Sequence, residues 1–445
     1  MVELYSWQKK HASKLRDCLE TKGFAKDGSD TGTGKTVVAI KTIHDLGLLP
    51  FVVCPKAVVP NWKQWITELY PTLTAEVVHN YEKLKGGRTM YVKRKGKGFE
   101  WQINRDKMVL VFDEDHYCKG EKSLNAKMLI AAKRQGYRIL CLGATSCASP
   151  LDLKALGYVL ELHNATDFWK WCLGNQCRHG MWGGLEYYGN ENDLKKLHDK
   201  VYAYGSRIKI SDLPPGTFPE NLVMVNKYDI DDKEAVNDLY DSLLDEGKSY
   251  YEAEEWDVES EGDDDDERIE ITKILDERRM IEELKVDLFC NLAKEYIEGG
   301  SAAVVFVNFR ETLHRLHNQM LTCHGIYPEL IHGGQSSGER ADAIKRFQSN
   351  RSKMMIVTIQ SGGVGINLHD TIGNLPRRVI ISPTFSAVDL KQALGRCFRA
   401  GTKSPVIQNI IFAAGTIEEH VYKSVKAKIK NIDQINDKDV TPSLS

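Results

Sequence analysis

The run Ser29-Asp30-Thr31-Gly32-Thr33-Gly34-Lys35-Thr36 constrains this chain more than any other stretch. Two closely spaced glycines, then Lys-Thr, then a helical pattern from Val37 to Leu46 describe a tight loop that opens a helix. Glycine has no Cβ, so the backbone can approach a ligand closely. The helix that follows turns free N–H donors and a positive dipole end toward an anion. The spacing is that of a phosphate-gripping loop, except that Ser29 stands where the first glycine usually does. Lys35 is then placed to pair the β- and γ-phosphates of a nucleoside triphosphate, and Thr36 to ligate magnesium. Thr31, Gly32, Thr33 and Gly34 line the phosphates.

The residues that follow the loop alternate strand and helix signals. Phe51 to Pro55, Val109 to Phe112 and Ile139 to Gly143 read as buried strands, and Asn61 to Tyr70 as a helix with Trp62, Trp65, Ile66 and Leu69 at helical spacing. The alternation recurs later. Strands are expected at Ala303–Val307, Met354–Thr358, Arg378–Ser382 and Val406–Phe412, with helices over Glu311–Met320 and Ile417–Ile429. Alternating strands and helices imply parallel sheets covered by helices on both faces. The expected fold is α/β with two lobes: an ATP-binding lobe over 1–215, a linker with an acidic insertion over 216–284, and a second lobe over 285–445.

Val109 to Phe112 ends in Asp113-Glu114-Asp115-His116, so the acids emerge at a carboxyl end, where ligands bind in such sheets. Asp113 is the expected magnesium ligand, and Glu114 the base that orients or deprotonates the attacking water. The second lobe carries Gln392-Ala393-Leu394-Gly395-Arg396-Cys397-Phe398-Arg399. Arg396 and Arg399 are three apart and are expected on one helical face, as cations for the charge that develops during hydrolysis.

Composition describes a soluble globular protein. No apolar run reaches the length needed to cross a bilayer, and no signal pattern opens the chain, so an intracellular protein is expected, cytoplasmic or nuclear. The ten cysteines are scattered and read as reduced, buried thiols. The formal net charge of −2 conceals an uneven distribution. The stretch Glu252–Glu267 holds eleven acids and no Lys or Arg; without it, 60 basic side chains face 51 acidic ones, a net of +9. That balance suits a polyanion partner. The acidic run is either a solvated loop or a competitor for the basic surface.

In order along the chain, these motifs resemble the superfamily 2 nucleic-acid motors, specifically the Swi/Snf-type double-stranded DNA translocases. Gln8 resembles the glutamine that reads adenine. Cys54 to Trp65, with its Asn61-Trp62, resembles the first DNA-contacting motif, and His79-Asn80-Tyr81 the next. Asp113 to His116 is similar to the family's acidic box, and Lys119 stands where a lysine often follows it. Leu142-Gly143-Ala144-Thr145-Ser146 resembles the coupling motif, though the usual run is closer to Thr-Gly-Thr-Pro. The stretch from Thr358 to Leu368, with Gly365, resembles the motif that touches both nucleotide and DNA. Gln392 to Arg399 is similar to the arginine-finger motif. Asp167 to Cys172, Trp182-Gly183-Gly184 and Arg207 to Pro214 look like the annealing-helicase branch, with Arg207 alone where two arginines often occur. The resemblance implies two RecA-like lobes with ATP in the cleft between them, cofactors ATP and Mg²⁺, and double-stranded or branched DNA as partner. It implies nucleotide contacts from Gln8, Gly365 and Gln392, and DNA contacts from Lys56, Thr145, Arg310, Thr358 and Gln360. A strand-separating DNA or RNA helicase is the nearer alternative, and an ATP-gated regulatory subunit the more distant one.

Three other signals carry less. His163, Cys172, Cys177 and His179 lack a standard zinc spacing. Trp62 and Trp65 fit an apolar helix face better than base stacking. Lys93-Arg94-Lys95-Gly96-Lys97 is equally a DNA contact or a solvated hairpin tip.

Overall fold

The structure is a computed structural model, and it describes residues 3–73, 75–119, 123–144, 147, 149–180, 184–214, 217–228, 234, 237–238, 278–362, 366–384, 386–399, 401–414 and 418. The chain divides into two compact units, one within Met1–Thr217 and the other within Phe218–Lys428. The acidic run, Gly365, Thr145, Trp182 and most of the expected closing helix lie outside the described residues.

In the first unit, helix α1 (Ser6–Thr21) precedes strand β1 (Phe24–Asp27), and the phosphate-type loop joins β1 to α2 (Lys35–Asp45). There follow β2 (Leu49–Cys54), α3 (Val59–Leu69), β3 (Val78–Asn80), α4 (Tyr81–Lys85), and the hairpin of β4 (Val92–Lys95) and β5 (Gly98–Trp101). Then come β6 (Met108–Asp113), α5 (Leu124–Arg134) and β7 (Arg138–Leu142). The unit closes with α6 (Lys154–Val159), α7 (Phe168–Gly174), the hairpin of β8 (Cys177–His179) and β9 (Leu185–Tyr187), α8 (Glu191–Val201) and β10 (Gly205–Ser206). The main sheet is six-stranded, in the order β10-β1-β7-β6-β2-β3, and every neighbouring pair is parallel. Its central strands are buried almost throughout, which is why β2, β6 and β7 read as apolar runs.

The second unit contains β11 (Asn221–Tyr228), α9 (Val286–Glu298), β12 (Ala302–Val307), α10 (Arg310–His324), β13 (Glu329–Ile331) and α11 (Ser337–Gln348). It continues with β14 (Met354–Thr358), the single turn α12 (Ile359–Gly362), β15 (Arg377–Ile381), α13 (Ala387–Cys397) and β16 (Val406–Ala413). Its sheet is also six-stranded and parallel, in the order β11-β16-β15-β12-β14-β13. The two-lobed α/β fold is therefore as expected. One difference concerns the segment expected as linker: β11 pairs with β16 over eight residues, so 221–228 are part of this sheet. Further along the same segment, the buried carboxylate of Glu282 accepts the N–H groups of Asn308 (2.7 Å) and Phe309 (3.1 Å), capping α10.

All ten cysteines are free thiols, and only Cys323 is exposed. No helix among the described residues is long and apolar enough to cross a membrane.

The second unit also buries Arg377 completely. Its guanidinium lies 4.5 Å from the Phe347 ring and donates to the carbonyls of Leu368 (3.1 Å) and Leu375 (3.2 Å) and to Asn350 Oδ1 (2.9 Å). Arg377→Met leaves two buried carbonyls and the half-buried Asn350 Oδ1 without this donor. It should lower the unit's stability by about 2–4 kcal/mol in urea denaturation, and a loss within the error of the method would contradict this packing.

Candidate nucleotide site

The sheet is parallel, so the residues that follow β1, β6 and β7 all emerge at one edge. Register places Asp27 and Asp113 each beside Leu142 of the strand between them. The loop after β1 is held by specific partners. The Asp27 carboxylate accepts the Ser29 N–H at 2.9 Å. The Ser29 hydroxyl accepts the Ile208 N–H at 2.9 Å, a bond glycine could not make. Asp30 accepts the Ile210 N–H at 2.9 Å and pairs with Arg207 at 2.6 Å. The lone Arg207 thus belongs to the loop's support. Burial would raise the Asp27 pKa, but His11, Lys35 and Ser29 hold it well below the usual carboxylate range.

Gly34 has φ 86°, in the left-handed region, and a Cβ there would lie 2.7 Å from Gln8 Nε2. Gln8 is buried on α1. Its Nε2 donates to the Thr33 carbonyl (2.9 Å) and its Oε1 accepts the Tyr5 N–H (3.0 Å). The residue expected at adenine therefore also fastens α1 to the loop. Gly32, also left-handed at φ 88°, and Thr31 are half-buried.

Lys35 is the first residue of α2, and its ammonium donates to the carbonyls of Ser29 (2.8 Å) and Asp30 (3.2 Å). Burial lowers its pKa, against the pull of Glu114, Asp27 and Asp113, so both box acids lie within its electrostatic reach. Asp113 Oδ1 accepts the Glu114 N–H at 3.0 Å, and Oδ2 accepts the Trp62 indole N–H at 2.7 Å. Its own carbonyl accepts the Tyr81 hydroxyl at 2.9 Å. Burial first, then the charge of Glu114, pushes the Asp113 pKa up to about 7, against the Trp62 hydrogen bond and Lys35. Glu114 has φ 52°, an unusual backbone for a non-glycine residue and of the kind that concentrates at functional sites. His116 Nδ1 lies 3.5 Å from its carboxylate. The Thr36 hydroxyl and the Asp113 carboxylate are hard oxygen donors of the kind magnesium takes.

Trp62 and Tyr81 were not expected as supports of the box. Trp62 is buried on the apolar face of α3, as its spacing indicates. A buried indole N–H needs an acceptor, and that is the signal that could have found the bond to Asp113.

In the second unit, Gln392 and Arg396 are buried on α13. Arg399 does not share their helical face, because the helix ends at Cys397 and Phe398 is extended. Arg399 turns instead to the segment after the Gly-rich run, donating to the Ile366 carbonyl (3.1 Å) and to Asn367 Oδ1. The Arg396 carbonyl accepts the Leu368 N–H at 3.0 Å. Burial, then the charge of Arg396, pushes the Arg399 pKa down to about 9. Of the residues expected at nucleic acid, Lys56, Arg310 and Gln360 are exposed, and Thr358 is buried at the end of β14. In the zinc candidate, both ring nitrogens of His163 meet carbonyl oxygens, of Asn164 (2.9 Å) and Leu153 (3.1 Å), and Cys172 and Cys177 pack beside Phe168. Among the described residues no group of three or more His, Cys, Asp or Glu is arranged to hold a metal ion.

Two parallel α/β units, one with a phosphate-type loop beside a paired acidic box, define a helicase-type ATPase core. Residues 284–401 match the helicase conserved C-terminal domain family. A protein of Acanthamoeba polyphaga mimivirus, provisionally named an ATP-dependent RNA helicase, is 31% identical over 99% of this chain and 84% of its own length. DNA excision repair protein ERCC-6-like of Bos taurus is 29% identical over 37% of this chain, and the match spans only 13% of that protein. The Sulfolobus solfataricus SWI2/SNF2 ATPase core in complex with dsDNA aligns over 95% of this chain and 90% of its own, at 18% identity and a TM-score of 0.36. The chain belongs to the superfamily 2 helicase-like ATPases, with relatives in the Swi/Snf group.

Two outcomes follow from the box. Trp62→Phe keeps a ring but removes the donor to Asp113, and should cost about 1–3 kcal/mol in urea denaturation. The raised Asp113 pKa favours the folded state at acid pH, and that contribution is lost as pH rises through about 7. In nucleotide-free protein, Asp113→Asn should therefore lose less thermal stability than wild type between pH values of about 6 and 8. Parallel pH profiles would contradict the assignment.

Proposed function

We propose that the chain is an ATP-driven motor that tracks along duplex or branched DNA. The observation that carries the reading is that the loop bearing Lys35, after β1, and Asp113 with Glu114, at the end of β6, emerge at one edge of the first sheet on either side of Leu142. In this reading the Lys35 ammonium exchanges the Ser29 and Asp30 carbonyls for β- and γ-phosphate oxygens. Thr36 and Asp113 hold magnesium, which supplies neutralisation of phosphate charge when bound. Glu114 orients the attacking water and accepts its proton. Gln8 and Gln392 contact the nucleotide, with the loop residues Thr31 to Gly34 and with Gly365. Arg396 and Arg399 are assigned to the charge that develops on the γ-phosphoryl group, a role that contributes factors on the order of 10³ to 10⁵ in related enzymes.

The basic balance outside the acidic run supports a polyanion partner. Lys56, Thr145, Arg310, Thr358 and Gln360 are assigned to backbone phosphates, so binding should weaken steeply with salt and vary little with sequence. The likeness to a DNA excision repair protein favours DNA. The viral relative's name favours a second reading, a strand-separating helicase on RNA. A regulatory subunit without turnover fits poorly with a complete set of Lys35, Glu114 and Arg396.

The test compares ATPase rates with single-stranded, duplex and forked DNA and with RNA, alongside strand displacement on the same ligands. The proposal expects the greatest stimulation from duplex or forked DNA, without displacement. Stimulation by RNA alone, with displacement, would establish the second reading, and no turnover with any ligand would end both.

A further inference from the structure

Lys26 is the third residue of β1 and is fully buried. Its ammonium lies 2.9 Å from Asp115 Oδ2, 2.7 Å from the Gly143 carbonyl and 3.2 Å from the Asp27 carbonyl. The ammonium donates to the two carbonyls, and the Asp115 carboxylate lies within ion-pair distance of it. The Asp115 side chain is equally inaccessible. These three partners belong to three segments. Asp27 immediately precedes the phosphate-type loop and its carboxylate holds the Ser29 N–H; its carbonyl also accepts the Gly143 N–H at 3.0 Å. Asp115 immediately follows Glu114 and its left-handed turn. Gly143 opens the run that includes Thr145. One buried cation thus joins the ends of β1, β6 and β7.

A buried ion pair is a poor device for stability alone, because an apolar pair of similar volume is often as good or better. It does, however, fix direction and distance. We infer that Lys26 and Asp115 are a positioning pair that holds the Glu114 turn and Gly143 in fixed register against the phosphate-type loop. The inference rests on the reading of Glu114 as the group that activates water. Neither side chain touches nucleotide in this scheme, since both are completely buried within the first unit.

The test is the double variant Lys26→Met/Asp115→Leu, with Lys26→Met alone for comparison. The single variant leaves Asp115 buried without its cation, so its melting temperature should fall sharply; the double variant should recover most of that loss. Despite the recovery, the double variant's kcat for ATP should stay roughly ten- to a hundredfold below wild type, because the catalytic turn is no longer registered. Its KM for ATP should stay within about twofold, since binding groups are untouched. A double variant that recovers both stability and kcat would overturn the inference and leave the pair a packing feature. Asp115→Asn, which keeps an acceptor oxygen and removes the charge, repeats the test if the double variant does not fold: lowered kcat at constant KM supports the pair, and unchanged kcat overturns it. Wild-type turnover in the same assay reports separately on the underlying reading, because its absence would sink the hydrolytic assignment itself.

Discussion

Buried charge at the carboxyl edge of the first sheet is the constraint on which the rest of that unit depends. Lys26 and Asp27 end β1, Asp113 ends β6, and Asp115 lies just beyond it, all in positions that exclude water. Each such group must find a partner or change its charge state. Lys26 finds Asp115 and two carbonyls, and Asp27 finds His11 and the Ser29 N–H. Asp113 has neutral donors, Trp62 and the Glu114 N–H, and its pKa rises. Burial and the charge of Glu114 disfavour its anion, and in the proposed function magnesium would favour the ionised form again.

The same edge explains why the loop tolerates serine at its first position. The stretch from Gly28 to Asp30 runs beside 206–210, exchanging hydrogen bonds with that backbone and pairing with Arg207. Serine's hydroxyl joins this lattice, whereas the glycines at 32 and 34 supply the left-handed turns. The division of labour is physical: the first half of the loop is anchored to the sheet, and the second half bends toward the start of α2.

Much of this was legible from the residues. Apolar runs located β2, β6, β7, β12 and β14, since strands of a parallel sheet are buried on both faces. The loop and the acids came together as their spacing implied. β1 escaped because Lys26 and Asp27 interrupt its apolar character, and their partners lie as far away as Gly143. β11 escaped because it is an edge strand, only half-buried, next to a polar segment. The bond from Trp62 to Asp113 spans 51 residues and leaves no periodic trace. Arg399 was placed on a helix that in fact ends two residues earlier, a boundary that three-residue spacing cannot reveal.

The central claim is that the first unit's loop and box form a hydrolytic site. Glu114 tests it most directly, because it stands at the proposed reacting water and not at the phosphates. Glu114→Gln keeps the side chain's shape and removes its capacity to take a proton. The account predicts that nucleic-acid-stimulated ATP turnover falls by roughly a hundredfold or more while ATP binding, read by equilibrium titration, is retained. Turnover near that of the wild type in the Glu114→Gln variant would contradict it.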